Sequence, residues 1–332
     1  MVKAIKPILS LGAVIGAAIS FVGCQGSMNT KAASSLTDTV VVDSSFVIDS
    51  TSVVKDTAVQ KEKGYLTERW RNPVQVPVVD TLNPISKDSL ARFVRLERRR
   101  VRDSVTQELD KLPKHVYFTF DDGPLIGSSA IDSISKAKNI KINAFLVGRH
   151  ANMSKRLKKD LQRYKDNTLV ECYNHSYTHA GNRFNTFYSN PVSAYEDFEK
   201  NELDLELKHK IVRLPGRNIW IYDDIRRIDL KSGASTADML YTNGYKIYGW
   251  DVEWRIHSAS GKPVQSVEEI YTRIRNYMNN KSSMEPNNVV LLMHDDMFQS
   301  KKGQQLLSSL IDTIQTTTDY KFEFISDYPF RY

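Results

Sequence analysis

Cysteine is nearly absent: of 332 residues only Cys24 and Cys172 are Cys, so no disulfide scaffold can hold this chain together. Histidine is scarce as well, with seven residues, which makes any closely spaced pair of them suggestive. No apolar run reaches the ~20 residues a membrane-crossing helix needs; the one candidate, Ile8 to Val22, is shorter. No internal repeat is present. From Gln25 to Gly64 there is no Trp, no Tyr and no Leu-rich cluster, and the Ser, Thr, Val, Asp and Lys that fill the stretch predict a flexible tether. Val40, Val41 and Val42 in that stretch also suit a strand.

What is there is globular. Hydrophobic residues make up 41% and aromatic residues 10%, enough for one large core or two smaller ones. Lys3 and Lys6 precede the run Ile8 to Val22, the pattern of a secretion signal. The run ends in Phe21-Val22-Gly23-Cys24, which resembles the lipobox of bacterial lipoproteins, with Phe21 where Leu is usual. The resemblance implies cleavage after residue 23, lipid on Cys24, and a membrane-held protein of the cell envelope, with Gln25 favouring outer-membrane sorting. Cys172 then has no partner, and its apolar setting from Leu169 to Tyr173 predicts a buried, inert thiol. The formal charge of +7 includes Lys3 and Lys6, so the chain without them carries +5. That excess suits anionic envelope surfaces and is no sign of nucleic-acid binding.

Beyond Pro73, Pro77 and Pro84, apolar Leu90, Phe93, Val94, Val101, Val105 and Leu109 predict a helix from Ser86 to Leu112. Arg92, Arg95, Arg98, Arg99, Arg100 and Arg102 occupy its remaining surface, either as a solvated face or as a dock for anionic lipid or polysaccharide. The helical extension therefore spans 65–112 and a main domain 113–332. In that domain apolar strands at Val116–Phe120, Ile142–Val147, Thr168–Tyr173, Ile211–Leu214, Tyr245–Trp250, Val289–Met293 and Phe322–Ile325 alternate with amphipathic helices. The helices are expected at Ile131–Lys138, Lys155–Tyr164, Val192–His209, Val267–Asn279 and Gln304–Thr317. Such alternation predicts an α/β fold with a parallel sheet and chemistry at the C-terminal strand ends.

Polar residues collect at those ends. The first strand runs into Asp121-Asp122-Gly123-Pro124; two adjacent acids are costly unless a cation shares them, and strand alternation would aim them differently, although the motif also makes a plain turn. The third delivers Asn174-His175-Ser176-Tyr177-Thr178-His179, whose imidazoles at i and i+4 suit zinc if a helical turn lies between them. The fourth gives Arg213-Leu214-Pro215-Gly216-Arg217, where Arg213 can orient Asp121 as a base and Gly216 can offer an N–H to an oxyanion. Next come Trp250-Asp251-Val252-Glu253-Trp254 and Leu292-Met293-His294. His294 suits a general acid, with Asp251 or Glu253 as its carboxylate partner, and the tryptophans suit either sugar faces or the core.

In this order, Thr-Phe-Asp-Asp-Gly-Pro, His-Ser-x-x-His, Arg-x-Pro, Asp beside Trp and Leu-x-His resemble the polysaccharide deacetylase family, carbohydrate esterase family 4. The resemblance covers residues 113–332. It implies a distorted (β/α) barrel of about seven or eight strands and a divalent metal, zinc foremost, bound by Asp122, His175 and His179. It further implies Asp121 as catalytic base, Arg213 as its orienter, His294 as acid with Asp251 or Glu253 as its partner, and Leu292, Trp250 and Trp254 lining the acetyl pocket. Two departures stand out: Gly216 replaces the family's usual aromatic, and the motif around Asp251 matches loosely. The implied activity is removal of acetyl groups from a carbohydrate, N-acetyl groups first. An O-acetyl esterase acting on xylan-type polysaccharide and a non-catalytic carbohydrate-binding barrel are the alternatives.

Overall fold

The computed structural model describes residues 64–73 and 87–331, which belong to one compact unit. The apolar run Ile8–Val22, Cys24, the tether as far as Lys63, Pro77 and Pro84 lie outside the described residues. No helix among the described residues is long and apolar enough to cross a membrane.

Two helices lead, α1 (Tyr65–Arg71) and α2 (Lys87–Asp110), followed by β1 (His115–Gly123), α3 (Ser128–Lys138), β2 (Ile142–Leu146), the single turn α4 (Gly148–Ala151), α5 (Lys155–Asp166) and β3 (Val170–Asn174). Then come α6 (Phe184–Tyr188), α7 (Pro191–Asp204), β4 (Ile211–Val212), the hairpin β5 (Ile219–Tyr222) and β6 (Ile225–Ile228), and α8 (Ala234–Thr242). The chain finishes with β7 (Lys246–Ile247), β8 (Val252–Glu253), α9 (Val267–Asn279), β9 (Asn288–His294), α10 (Lys301–Thr317) and β10 (Lys321–Phe322).

The strands form one sheet in the order β6-β5-β7-β4-β3-β2-β1-β9-β8, with β10 beside β1. Every pairing is parallel except those of β5 with β6 and β7. The distorted barrel is borne out, with an antiparallel hairpin added. That hairpin, Ile219–Ile228, lies outside every expected strand: Asn218 and the Asp223-Asp224 turn bound it, but Arg226 and Arg227 on β6 hide its apolar signal. The expected strands at 211–214, 245–250 and 322–325 shrink to two paired residues each.

Strand alternation sorts the core. One face of β1 and β9 sends Phe118, Phe120, Val289, Leu291 and Met293 outward against Ile270, Ile274, Leu310 and Ile314 of α9 and α10. The other sends Tyr117 and Val290 inward, where they pack with Phe145, Tyr173, Trp220, Tyr222, Tyr248 and Tyr328. This aromatic plug fills the lower barrel and leaves the upper end for polar side chains.

Helix starts follow their caps. Ser266 and Glu269 form a reciprocal capping box that begins α9 where expected. Ser300 accepts a hydrogen bond from Gly303 N, and α10 therefore begins three residues before the expected Gln304. The expected helix 192–209 stops at Asp204 because Glu206 turns left-handed, with φ 48°. In α2 only the C-terminal third is anchored: Val105 and Leu109 are buried with Leu66, whereas Phe93, expected on the apolar face, is exposed. At the N-terminal strand ends, Asn287 Nδ2 donates to the Leu109 carbonyl (2.7 Å), Tyr222 donates to Glu285 (2.7 Å), and Arg71 pairs with the same Glu285.

The turn from β1 into α3 is held against the top of β9. A Cβ on Gly127 would overlap the Asp295 carbonyl oxygen, so Gly127→Ala is expected to destabilise the protein by about 1–3 kcal/mol. Urea denaturation reads this directly, and an unchanged midpoint would mean that the turn shifts freely.

Candidate active site

The inward face of the sheet places Asp121 and His294 side by side, as register partners on β1 and β9. One step below them sit Thr119 and Leu292, likewise paired. Arg213, just past β4, is fully buried. Its Nη1 donates to Asp121 Oδ1 (2.8 Å) and Thr119 Oγ1 (2.7 Å), its Nη2 to the Gly249 carbonyl (2.7 Å) and its Nε to the Tyr248 carbonyl (3.1 Å). Its guanidinium lies 4.2 Å from the centre of the Phe145 ring. Burial pulls the Arg213 pKa down, opposed chiefly by Asp121.

Strict alternation would aim Asp122 away from Asp121. Instead Asp122 adopts φ 70°, a left-handed conformation costing roughly 1–2 kcal/mol in a non-glycine residue, and both carboxylates come to the same imidazole. His175 Nε2 lies 3.5 Å from Asp121 Oδ2 and 3.6 Å from Asp122 Oδ1. The conformation is held by His150, whose Nδ1 donates to the Asp122 carbonyl (2.7 Å), and by Val147 N bonding to the Gly123 carbonyl (2.7 Å).

His175 and His179 converge, but not through a helical turn. Ser176 and His179 take φ 65° and 52°, and Asn174 Oδ1 accepts from Ser176 N, giving ring centres 5.2 Å apart. Carbonyl and amide oxygens then fix both tautomers. His175 Nδ1 donates to the Arg213 carbonyl (2.8 Å) and His179 Nδ1 to Asn182 Oδ1 (3.0 Å), leaving each Nε2 lone pair for the site. Burial drops the His175 pKa to about 4, Asp121 opposing, so its imidazole is neutral at neutral pH. For Asp122, burial works toward a higher pKa, but the histidines, His179 foremost, bring it below the ordinary value. Burial also opposes charge on His179, and Asp122 outweighs it to raise that pKa.

Asp122, His175 and His179 offer one donor atom each within 4.8 Å of one another. Asp122 Oδ1 is buried and accepts no hydrogen bond, while His179 Nε2 stands 3.0 Å away. Two imidazole nitrogens and an orphaned carboxylate oxygen at 3.0 and 3.6 Å span the ~3.3 Å edge of a tetrahedron with zinc–ligand bonds of ~2.0–2.1 Å. The donor set therefore fits a divalent cation.

Other expected residues fall elsewhere. Asp251 does not pair with His294: its Oδ1 accepts from Met284 N (2.7 Å) and its Oδ2 from Val290 N (2.9 Å), and burial lifts its pKa to about 7. His294 Nδ1 is buried without a hydrogen-bond partner, so Glu253 does not bond to it either. Trp254 belongs to the outer core, with its Nε1 donating to the Gln265 carbonyl. Trp250 is half-buried, its ring centre 5.9 Å from the Arg213 guanidinium. Leu292 is buried on the inward face below His294. Gly216 is exposed, in a left-handed turn (φ 64°), with the Phe184 ring against its Cα. Cys172 is half-buried rather than buried, yet desolvation still pushes its thiol up to about 12, the inert state expected.

Sequence reasoning missed His150, Asn182, Phe184 and Asp295. Asp295 is buried, accepts from Ser128 and Tyr164 and has its pKa raised to about 7 by burial. Asp295 directly follows His294, but nothing in the sequence says that its carboxylate is buried against Ser128 of α3 and Tyr164 of α5.

Zinc at about a hundred times its Kd should stabilise the fold by ~2.7 kcal/mol and raise the Tm of the metal-stripped protein. Asp122→Ala should abolish that rise, and a rise surviving the substitution would place the cation elsewhere.

No curated protein matches the chain. Among solved structures it is similar to the catalytic domain of a peptidoglycan N-acetylglucosamine deacetylase from Eubacterium rectale, at 20% identity over 64% of this chain and 90% of that one, with a TM-score of 0.46. A carbohydrate esterase family 4 protein from Streptococcus mutans matches at 17% identity over 66% and 89% (TM-score 0.48). A family 4 carbohydrate esterase from Streptomyces lividans, in complex with acetate, matches at 18% over 66% and 96% (TM-score 0.47). Residues 109–218 match the family model for polysaccharide deacetylase. That segment includes Asp121, Asp122, His175, His179, Arg213 and Gly216 and ends before His294. Over that segment, about a third of the chain, the sequence is similar to polysaccharide deacetylases.

Proposed function

We propose that this chain hydrolyses acetyl groups from a polysaccharide or oligosaccharide, N-acetyl groups of N-acetylglucosamine-type sugars first. The observation that carries the reading is the meeting of two sets at one barrel mouth: Asp122, His175 and His179, whose donors suit zinc, and the cross-strand pair Asp121 and His294.

A divalent cation bound there supplies a Lewis acid for the acetyl carbonyl and an acidified water. Asp122 and the two Nε2 atoms would hold it. Asp121 accepts the proton of the attacking water; Arg213 occupies its Oδ1 (2.8 Å) and leaves Oδ2 for that task. The Gly216 N–H is the candidate donor to the oxygen that gains charge. As the C–N bond breaks, His294 delivers a proton to the departing nitrogen, giving acetate and a free amine. Leu292 and Trp250 supply apolar wall for the acetyl methyl.

One observation favours a second reading. His294 Nδ1 lacks a carboxylate partner, and an ester's alkoxide needs an acid less than an amine does, so O-acetyl groups on xylan-type polysaccharide are the alternative substrate. We also infer that residues 1–23 export the chain and that lipid on Cys24 holds it to the envelope. Membrane-fraction recovery lost in Cys24→Ser would support this, and recovery unchanged would refute it.

The test is acetate release by the metal-stripped, then zinc-reconstituted chain from N-acetylglucosamine oligomers, peptidoglycan and acetylated xylan, with Asp122→Ala as control. Zinc-dependent release from the first two is expected, with His294→Ala retaining zinc but slowed by about 10²–10⁴ on amides. Release from xylan alone selects the ester reading. No release from any substrate with zinc bound leaves a carbohydrate-binding barrel.

A further inference from the structure

We infer that Phe184 is a substrate-positioning residue, whose ring walls the open side of the metal-ligand cluster and offers an aromatic face to the sugar that carries the acetyl group. The inference rests on the carbohydrate reading above. Access decides which side is open: the His175 side chain is 2% exposed, but those of Asp122 and His179 are 21% and 17% exposed. A substrate therefore approaches past Asp122 and His179. Phe184 stands there, half-buried, its ring edge-on to His179 with centres 5.7 Å apart.

The ring is built into place. A Cβ on Gly216 would come within 3.2–3.3 Å of three of its carbons, so the bare Cα of Gly216 makes the seat. Arg217, 5% exposed, clips the two loops together: its Nη1 donates to the Gly216 carbonyl (2.8 Å), its Nη2 to Asn185 Oδ1 (3.1 Å) and its Nε to Ser232 Oγ (3.1 Å). Its guanidinium lies 5.7 Å from the Phe184 ring centre. Tyr188 at the other end of α6 donates to the Pro215 carbonyl (2.8 Å). The loop after His179 is thus fixed onto the turn after Arg213, and one ring touches both.

An aromatic face that packs on a sugar ring binds ground state and transition state alike, so its loss appears in KM rather than kcat. The full-length, zinc-loaded chain is assayed on the N-acetylglucosamine tetramer as wild type, Phe184→Leu, which keeps apolar bulk without the ring, and Phe184→Tyr, which keeps the ring. The Leu variant should raise KM about three- to tenfold with kcat and zinc content unchanged, and the Tyr variant should restore it. Tetramer binding, measured by calorimetry on Asp121→Asn with and without Phe184→Leu, should weaken by the same factor. An unchanged KM and binding constant, or lost zinc with kcat falling at constant KM, overturns the inference, the latter making the ring a brace for His179. Wild type that releases acetate from no glycan counts against the proposed function, and calorimetry then decides on Phe184 alone.

Discussion

A guanidinium that water cannot reach must find its solvation in the protein, and Arg213 finds it in four hydrogen bonds, two to side chains of β1 and two to carbonyls just past β7. Removing one partner from such a buried pair typically costs ~3–5 kcal/mol, because the other charge is stranded. Side chain and backbone of this residue act on different parts of the site. The side chain turns Asp121, and the carbonyl sets the tautomer of His175. Asp121 and His175 are therefore oriented by one residue, and the aromatic plug beneath, from Phe145 to Tyr328, excludes the water that would compete for the guanidinium.

Above that layer the backbone is bent to suit the chemistry. Asp122, Ser176 and His179 take left-handed conformations without being glycine, and each is caught by a neighbour's hydrogen bond: His150 on the Asp122 carbonyl, Asn174 on Ser176 N, Ser176 Oγ on His179 N. Strain held in this way clusters where geometry matters more than stability. Here it brings three donor atoms together that regular strands would have kept apart.

The legibility of the sequence divides along the same line. The strands of the first half of the barrel and most of the helices were readable, because apolar alternation and Ser caps are local signals. Asp121, Asp122, His175, His179 and Arg213 were legible as a set because each follows a strand, and a parallel sheet gathers strand ends. What escaped depends on contacts distant in sequence. Asp251 sits beside Trp250 as the motif suggests, yet Val290 and Met284 take both its oxygens. Trp254 reads like a sugar platform and is core. His150, 28 residues from Asp122, leaves no trace in any short pattern.

The barrel has a polarity that the N-terminal helices make consequential. Arg71 of α1 and Leu109 of α2 are fastened near Glu285 and Asn287, ahead of β9, whereas the carboxylates and imidazoles crown the far ends of β1 and β9. From His115 to Asp121 the extended backbone climbs ~20 Å. The C-terminal ends of α1 and α2 thus lie at the domain's floor, and the mouth opens the other way. Anything packed against that floor would leave the carboxylates and imidazoles of the mouth uncovered.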